Sequence, residues 1–539
     1  MRKRRAALWS LLACVGAAGD PCWADGSAVP PGGPQSSTPG AAAERFALLE
    51  FRVLNNSVLD VRQVERAVYP HLGPDKTIDD VQAARADLEK AYRAAGYSSV
   101  YVDIPEQRVE GGIVRLSVTE GRVNRVAVSG TRYFMNRRIL AAVPSLTPGT
   151  VPHFPDVQAQ LNALNQSSPD LSVAPVLRPG ADPGTVDVDL KVKDQLPLHA
   201  SVELNNRYTA DTPPLRLNVN VSYDNLFQRN HTLSLQYQTA PQDGSAALVL
   251  AATYLAPLPD LGATLALYAI DSNTNVATVG TLGVLGKGRV YGTRYVIPLT
   301  PIGRLLPTLT FGVDLKDFDE SVLLPSSPGL QTPVKYMNWS IAYGGSLIQD
   351  RRSTSFNLAT NFGIPGLYNN PAEFENKRYL AKANYMYWHL DVSHVQPLPL
   401  GLALALRASG QYTTEPLIDN EQFAIGGVES VRGYLEAEAL GDSGATGSLE
   451  LRSPALSSAF GIHPHEAYAY VFYDAGFATV LDPLPTQVAR QDLRSVGLGF
   501  RVVGYGGFDA ALDWARALIP TTYESANDSR VQFSFRYGF

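Results

Sequence analysis

The chain has 539 residues, 45% of them hydrophobic and 18% charged, with a formal net charge of −6 and a mean hydropathy of −0.07. That length exceeds one ordinary core, the acidic balance offers no footprint for nucleic acid, and no apolar stretch approaches the roughly 18–20 residues that a membrane helix needs. Gly (45), Tyr (26) and Phe (19) are plentiful while Met (4) and Trp (5) are scarce, a balance that suits strands better than helices.

The N-terminus carries Arg2, Lys3, Arg4 and Arg5, then an apolar run from Ala6 to Ala18, then small residues around Cys22-Trp23-Ala24. This is the layout of a secretory signal over residues 1–24, with cleavage near Ala24. Both cysteines, Cys14 and Cys22, fall inside it, so neither disulfides nor thiol chemistry are expected in the mature chain. Residues 25–43, "DGSAVPPGGPQSSTPGAAA", form a Pro/Gly/Ser linker that cannot bury a core.

Order is expected from residue 44. "FALLEFRVL" reads as a strand and "DVRQVERAVYPHLG" as a short helix. "KTIDDVQAARADLEKAYRAAGY" reads as a longer helix, with Thr77 as N-cap, Val81, Leu88 and Tyr92 on one stripe and Gly96 as the stop. "SSVYVDIP" and "GIVRLSVTEG" follow as strands. The same β-α-α-β-β order recurs through "RVNRVAVSG", "NRRILAAVPSL", "PHFPDVQAQLNALNQSS", "LSVAPVLRP" and "TVDVDLKVKD". Repetition of a supersecondary unit marks an array of small modules, placed here at 44–119 and 120–195. Their element order resembles that of POTRA domains, the periplasmic substrate-docking modules of outer-membrane protein transporters.

From about residue 198 the helix signals stop. Leu215, Leu217, Val219, Val221 and Tyr223 alternate with polar residues, and Leu233, Leu235 and Tyr237 repeat the scheme beyond the turn "DNLFQRNH". Segments 262–270, 309–315, 337–345, 354–362 and 401–412 continue as short strands. Apolar-out, polar-in alternation over about 9–11 residues is the pattern of a transmembrane β-barrel, and 198–539 at roughly 20 residues per strand and loop gives about 16 antiparallel strands. The final "VQFSFRYGF" puts Val531, Phe533, Phe535, Tyr537 and Phe539 on one face, which lipid would solvate if this strand closes the barrel. Tyr537 and the terminal Phe539 resemble the signal by which the barrel assembly machinery recognises its clients.

One stretch breaks the alternation: "FAIGGVESVRGYLEAEALGDSGATGSLELRSP". Gly426, Gly427 and Gly433 permit positive φ, and Arg432 stands alone among small and apolar neighbours. In the later "AYAYVFYDAGF", period two sends Tyr470, Phe472, Asp474 and Gly476 to one side and Val471, Tyr473, Ala475 and Phe477 to the other. If Asp474 faces the lumen beside Phe472, a guanidinium is its best partner, because the planar fork matches a carboxylate. Arg432 is the nearest candidate.

The run Val431, Arg432, Gly433, Tyr434 after two glycines, followed by "SLELRSP" and by F-x-D-x-G at Phe472, Asp474 and Gly476, resembles the re-entrant loop and inner-wall motif of the two-partner secretion transporters, the TpsB or hemolysin activation/secretion proteins. "YDNLFQRNHTLSLQYQTAP" is similar to early barrel strands of that family. The resemblance spans about 44 to 539. It implies an outer-membrane barrel with its POTRA domains in the periplasm and no catalytic role, cofactor or metal. It also implies export of a large adhesin- or hemolysin-type partner exoprotein, bound through the POTRA domains and the lumen. Some members add an N-terminal helix that plugs the barrel. Residues 25–43 are too short and too rich in Pro and Gly to supply helix and linker both, which leaves the Arg432 loop as the plug. The competing reading is a Bam- or Tam-like factor that inserts other barrels. A surface enzyme is disfavoured, since neither G-x-S-x-G nor H-E-x-x-H occurs and the 8 histidines show no metal-ligand spacing.

Overall fold

The computed structural model describes residues 45–210, 212–244, 246–274, 276–279, 282–319, 321–322, 330–349, 352–456, 466–485 and 487–539. The expected signal and linker, with Cys14 and Cys22, lie outside them. The chain divides into two compact units, one running to Ala91 with Val102–Val118 added, the other Tyr92–Tyr101 with Thr119–Phe539.

The N-terminal module holds strands β1 (Phe46–Leu48), β2 (Glu50–Leu54), β3 (Gly73–Lys76), β4 (Val100–Asp103) and β5 (Ile113–Glu120) with helices α1 (Val61–Val68) and α2 (Ile78–Ala94). Its main sheet has the order β2-β5-β4, with β2 parallel to β5. "FALLEFRVL" is two strands rather than one, because β1 separates at Leu49 and pairs instead with β3. Nothing in the "GPDK" of β3 alternates, so only tertiary pairing makes it a strand. Along α2, Val81, Ala84, Leu88 and Tyr92 are buried in one stripe. The cap at its start reverses the expected roles: Asp80 Oδ2 accepts the Thr77 backbone N–H at 2.9 Å and the Thr77 hydroxyl at 3.1 Å. At the other end Gly96 sits at φ 89°, donating to Arg93 O at 3.0 Å while Tyr97 N–H reaches Tyr92 O at 2.9 Å, the paired bonds of a Schellman stop.

The second module repeats this plan with β6 (Arg122–Ser129), α3 (Asn136–Ala142), α4 (Phe154–Gln166), β7 (Leu171–Pro179) and β8 (Thr185–Asp194). The sheet order is β6-β8-β7, again with the first strand parallel to the last. Phe134, Ile139, Leu161, Val173 and Leu190 form its core.

Beyond it the chain enters β9 (Leu198–Asn205), β10 (Arg216–Leu226), β11 (His231–Thr239), β12 (Val249–Leu258), β13 (Ala263–Ser272), β14 (Gly288–Pro298), β15 (Leu305–Phe318) and β16 (Val334–Gln349). It continues through β17 (Arg352–Gly363), a short helix α5 (Pro371–Lys377), β18 (Met386–Pro397), β19 (Ala403–Thr413), β20 (Ser443–Arg452), β21 (Glu466–Thr479), β22 (Arg490–Tyr505), β23 (Phe508–Ala517) and β24 (Ser529–Gly538). These strands form one closed antiparallel barrel of 16, as expected, and β24 returns to β9 in the register Ser534↔Asn205 to Gly538↔Ser201. Ala200 and Phe539 exchange two backbone hydrogen bonds of 2.9 Å at the end of this seam.

Outward residues such as Leu235, Leu498 and Val531 stay exposed, while Asn218, Asn220, Ser234 and Gln236 line the interior. An apolar outer face over a polar lumen is what a lipid-embedded barrel requires. Strands β9, β12, β14, β18, β20, β22 and β23 were not singled out from sequence. In β12 ("VLAATYLAPL") alanines fall on both faces, and in β22 glycines and charges interrupt the period.

Asp194, at the end of β8, fixes the turn that leads to α3. Its Oδ2 accepts the backbone N–H groups of Arg132 (2.8 Å), Tyr133 (2.7 Å) and Phe134 (3.0 Å). Burial pushes this carboxyl upward, but the backbone donors outweigh it and hold the group below the usual carboxylate range. A depressed native pKa contributes stability that is present above the unfolded value and lost as pH falls through the native one. Asp194→Asn is expected to cost about 1–3 kcal/mol locally at neutral pH. Hydrogen exchange of segment 132–134 in the detergent-solubilised protein should show faster opening in the variant, with the difference from wild type shrinking only in acid.

Candidate functional site

The segment 414–442 joins β19 to β20 and folds back into the barrel. Two short strands, Phe423–Ile425 and Ala439–Gly441, pair antiparallel and carry a hairpin between them. Gly426, Gly427 and Gly433 have φ of 103°, 98° and 89°. Space is short as well as the dihedral unusual: a Cβ on Gly427 would lie 2.1 Å from Glu436 Oε2, and one on Gly433 would lie 3.1 Å from the Ala515 Cβ on β23. Only glycine fits a turn pressed this closely against itself and the wall.

That turn delivers Arg432, which has no solvent exposure. Its Nε and Nη2 donate to the two oxygens of Asp474 at 2.7 and 2.8 Å, and its backbone N–H donates to the same carboxylate at 3.1 Å. Nη1 reaches Glu450 Oε1 at 2.9 Å and lies 3.6 Å from Asp513, and Nη2 reaches Ser448 Oγ at 3.0 Å. The guanidinium lies over the Phe472 ring, 3.5 Å from its centroid. Gly497 on β22 makes room for that ring, since a Cβ there would lie 2.3 Å from Phe472 Cζ. Around this centre charges alternate: Glu450 also holds Arg452 at 2.9 Å, and Asp513 takes the Tyr470 hydroxyl, which Arg501 approaches at 3.2 Å.

The structure thus brings together seven of the residues singled out from sequence. Val431 is buried against Gly476, where an added Cβ would lie 3.2 Å from Val431 Cγ2. Gly433 N–H donates to Gln532 Oε1 at 3.1 Å. The Tyr434 hydroxyl lies 2.9 and 2.8 Å from the carbonyls of Arg494 and Ile519 and accepts the Ile519 N–H at 3.2 Å. Tyr537 and Phe539 lie elsewhere, on the exposed outer face of the closing strand. Sequence reasoning missed Ser448, Glu450, Asp513 and Gln532. The first two had a legible signal, because period two through "SLELR" points Ser448, Glu450 and Arg452 to the same side as each other.

More than the Arg432 turn is buried inside the barrel. Glu421 is buried against Lys316, the Tyr336 hydroxyl and the Tyr387 hydroxyl, the last at 2.8 Å. Asp442 pairs with Arg378, Nη2 to Oδ2 at 2.7 Å, and accepts the backbone N–H groups of Leu417 (2.8 Å) and Leu481 (2.6 Å). Phe374 on α5 packs on Tyr336 and Tyr385 with centroids 5.4 and 5.8 Å apart, in a cluster that includes Phe318, Leu417 and Ile418. The segment with α5, between β17 and β18, therefore packs with the inward loop, where the sequence singled out one loop alone. At the loop tip Glu429 reaches Arg207 at 3.1 Å and Arg407 at 3.3 Å, and cavities of about 790 and 340 Å³ are lined by it.

A closed 16-strand barrel with a pinned inward loop, preceded in the chain by two small α+β modules, defines an outer-membrane-type β-barrel with N-terminal POTRA-like modules. The profile of "Haemolysin secretion/activation protein ShlB/FhaC/HecB" matches residues 184–293 and 331–502, and that of "POTRA domain, ShlB-type" matches residues 46–121. The chain belongs to this haemolysin secretion/activation family of two-partner secretion transporters, and its place is the outer membrane. Among its relatives, the outer membrane transporter CdiB of Dickeya dadantii (strain 3937) is 23% identical over 74% of this chain and 71% of its own length. The heme/hemopexin transporter protein HuxB of Haemophilus influenzae is 21% identical over 88% of this chain and 84% of its own length. Of solved structures, CdiB from Escherichia coli has a TM-score of 0.58 at 19% identity, covering 94% of this chain and 92% of that one. BamA from Haemophilus ducreyi lacking POTRA domains 1–3 has a TM-score of 0.58 at 14% identity, covering 92% and 100%. These last two likenesses speak for the fold alone.

Removing one partner of a buried ion pair leaves the other charge uncompensated, at about 3–5 kcal/mol. Arg432→Ala and Asp474→Ala should each loosen the loop by that order, and the double variant should cost less than the sum. Protease or maleimide accessibility of a cysteine placed at Glu429 checks this. Arg432→Lys should rescue poorly, because an ammonium cannot bond both Asp474 oxygens as a fork.

Proposed function

We propose that this protein exports one large, extended partner exoprotein of the adhesin or hemolysin type from the periplasm through its own lumen. Both N-terminal modules act as POTRA domains that dock the unfolded cargo, with strand addition along an open sheet edge such as β2 or β4 as the mode. The observation that carries the reading is the loop itself. A lumen that only needed to pass small solutes has no use for a segment pinned across it by Arg432, Glu421 and Asp442. A translocating chain has to displace that segment, and a hydrophilic wall, in which Asn218, Asn220, Ser234 and Gln236 stand beside charged groups such as Glu203, Arg294 and Arg536, offers hydrogen-bond partners to an extended backbone. Arg432, Asp474 and Phe472, with Val431, Gly433, Tyr434 and Gly476 shaping the turn and its seat, form the latch of this gate. Tyr537 and Phe539 serve barrel assembly instead.

Deletion of the protein, followed by complementation with wild type, Arg432→Ala or Asp474→Ala, tests the reading when extracellular and outer-membrane proteomes are compared. Loss of one large extracellular protein, restored by wild type and at least tenfold lower with either variant, is the expected outcome. A broad fall in other outer-membrane barrels would instead support an insertase. Removal of Phe539 alone should lower the amount of folded barrel in the outer membrane while leaving the function of each assembled copy intact, as read by secretion per heat-modifiable barrel on gels.

A further inference from the structure

The junction between the second module and the barrel holds a second cluster of charged groups, which shares no residue with the latch. Asp170 precedes β7, His199 is near the start of β9, and Asp224 lies on β10 opposite that start. His199 Nε2 is 3.0 Å from Asp170 Oδ2 and 3.3 Å from Asp224 Oδ2. One ligand atom from each of the three lies within 4.8 Å of the others. Among the described residues this imidazole is the ion-pair partner of both carboxylates, and neither has a lysine or arginine in reach.

A single ring nitrogen facing two carboxylates is an incomplete arrangement, because one N–H bond points at one acceptor. A cation between the three satisfies all of them. In a tetrahedral zinc site with bonds of about 2.0–2.1 Å, neighbouring ligand atoms are about 3.3 Å apart, and the observed 3.0 and 3.3 Å sit close to that edge length. Imidazole with two carboxylates is a donor set that zinc accepts, with the half-exposed side of His199 leaving the fourth position to water. The backbone prepares the ligands: Gln195 N–H donates to Asp170 O at 2.9 Å and Asp224 N–H donates to Pro197 O at 2.8 Å, so both aspartates are tied to the short connection between β8 and β9. The same junction is braced by Gln228, whose side chain accepts the Met135 N–H at 3.0 Å and donates to Tyr133 O at 2.8 Å.

We propose that Asp170, His199 and Asp224 bind a divalent transition-metal ion, with zinc the best match, which clamps the second module to the first two barrel strands. No spacing in the sequence marks this site, since the ligands come from three separate elements and meet only when module and barrel dock.

The test uses the full-length protein in detergent, free of any histidine tag and stripped with a chelator, titrated with zinc chloride against a chromophoric competitor. Wild type should take up one zinc per chain with micromolar or tighter affinity, and cobalt(II) at the same site should give the intense visible absorption of a tetrahedral complex. His199→Ala and Asp224→Asn, each checked for a folded barrel by heat-modifiable migration, should weaken zinc at least tenfold and abolish the cobalt spectrum. Zinc should also protect the 195–197 connection from proteolysis in wild type only. Absence of saturable zinc uptake by wild type would overturn the proposal, as would equal uptake by wild type and the two folded variants.

Discussion

The arrangement around the inward loop follows from the fact that Arg432 carries a permanent charge into a place with no solvent exposure. A guanidinium so placed has to find its counter-charges in the wall, and Asp474, Glu450 and Asp513 supply them from β21, β20 and β23. Three carboxylates around one cation would be unstable in turn, so Arg452, Arg407 and Arg501 stand behind them. The ring of Phe472 covers the remaining face, and Gly497 gives up its side chain to let the ring in. One charge thus dictates residue types on several strands and the glycines of its own turn.

Such a pair is better suited to specifying a position than to adding stability, since desolvation of both charges offsets most of the Coulomb gain. That suits the proposed gate, a segment held in one place until cargo displaces it. Glu421 and Asp442 repeat the device nearer the loop ends, where hydroxyls, backbone N–H groups and one cation each satisfy a buried carboxylate. An aromatic cluster around Phe374 adds apolar packing to them. The inward segments are thus held by polar pins beside an apolar cluster, and in the proposed export the pins are the part that an incoming polar chain would exchange for its own groups.

The barrel and both modules were legible because their elements advertise themselves locally. Val81, Leu88 and Tyr92 recur at helical spacing, and Leu217, Val219 and Val221 at strand spacing, since each faces one environment along its length. Arg432 and Asp474 were legible as a pair for a different reason: an arginine in a glycine-rich turn that breaks the alternation, and a carboxylate set beside Phe472 on a regular strand, each call for a counter-charge of matching geometry. The strand β3 was illegible because its pairing to β1, and no property of "GPDK", makes it a strand. Glu421, Arg378 and the Asp170, His199, Asp224 group were illegible because each contact joins segments distant in sequence, and a lone charge in a loop reads as solvated until the fold brings its partner to it.

The central claim is that the pinned loop has to leave its seat for cargo to pass, and a reversible tether tests it most directly. Val431 and Gly476 face each other, and Thr446→Ser removes the methyl that a Cβ at position 476 would meet at 2.8 Å. A Val431→Cys, Gly476→Cys pair in that background locks loop to wall under oxidation. Movement of the loop in transport predicts that secretion stops when the disulfide forms and resumes on reduction, with barrel levels constant. Undiminished secretion through a fully tethered barrel would contradict it.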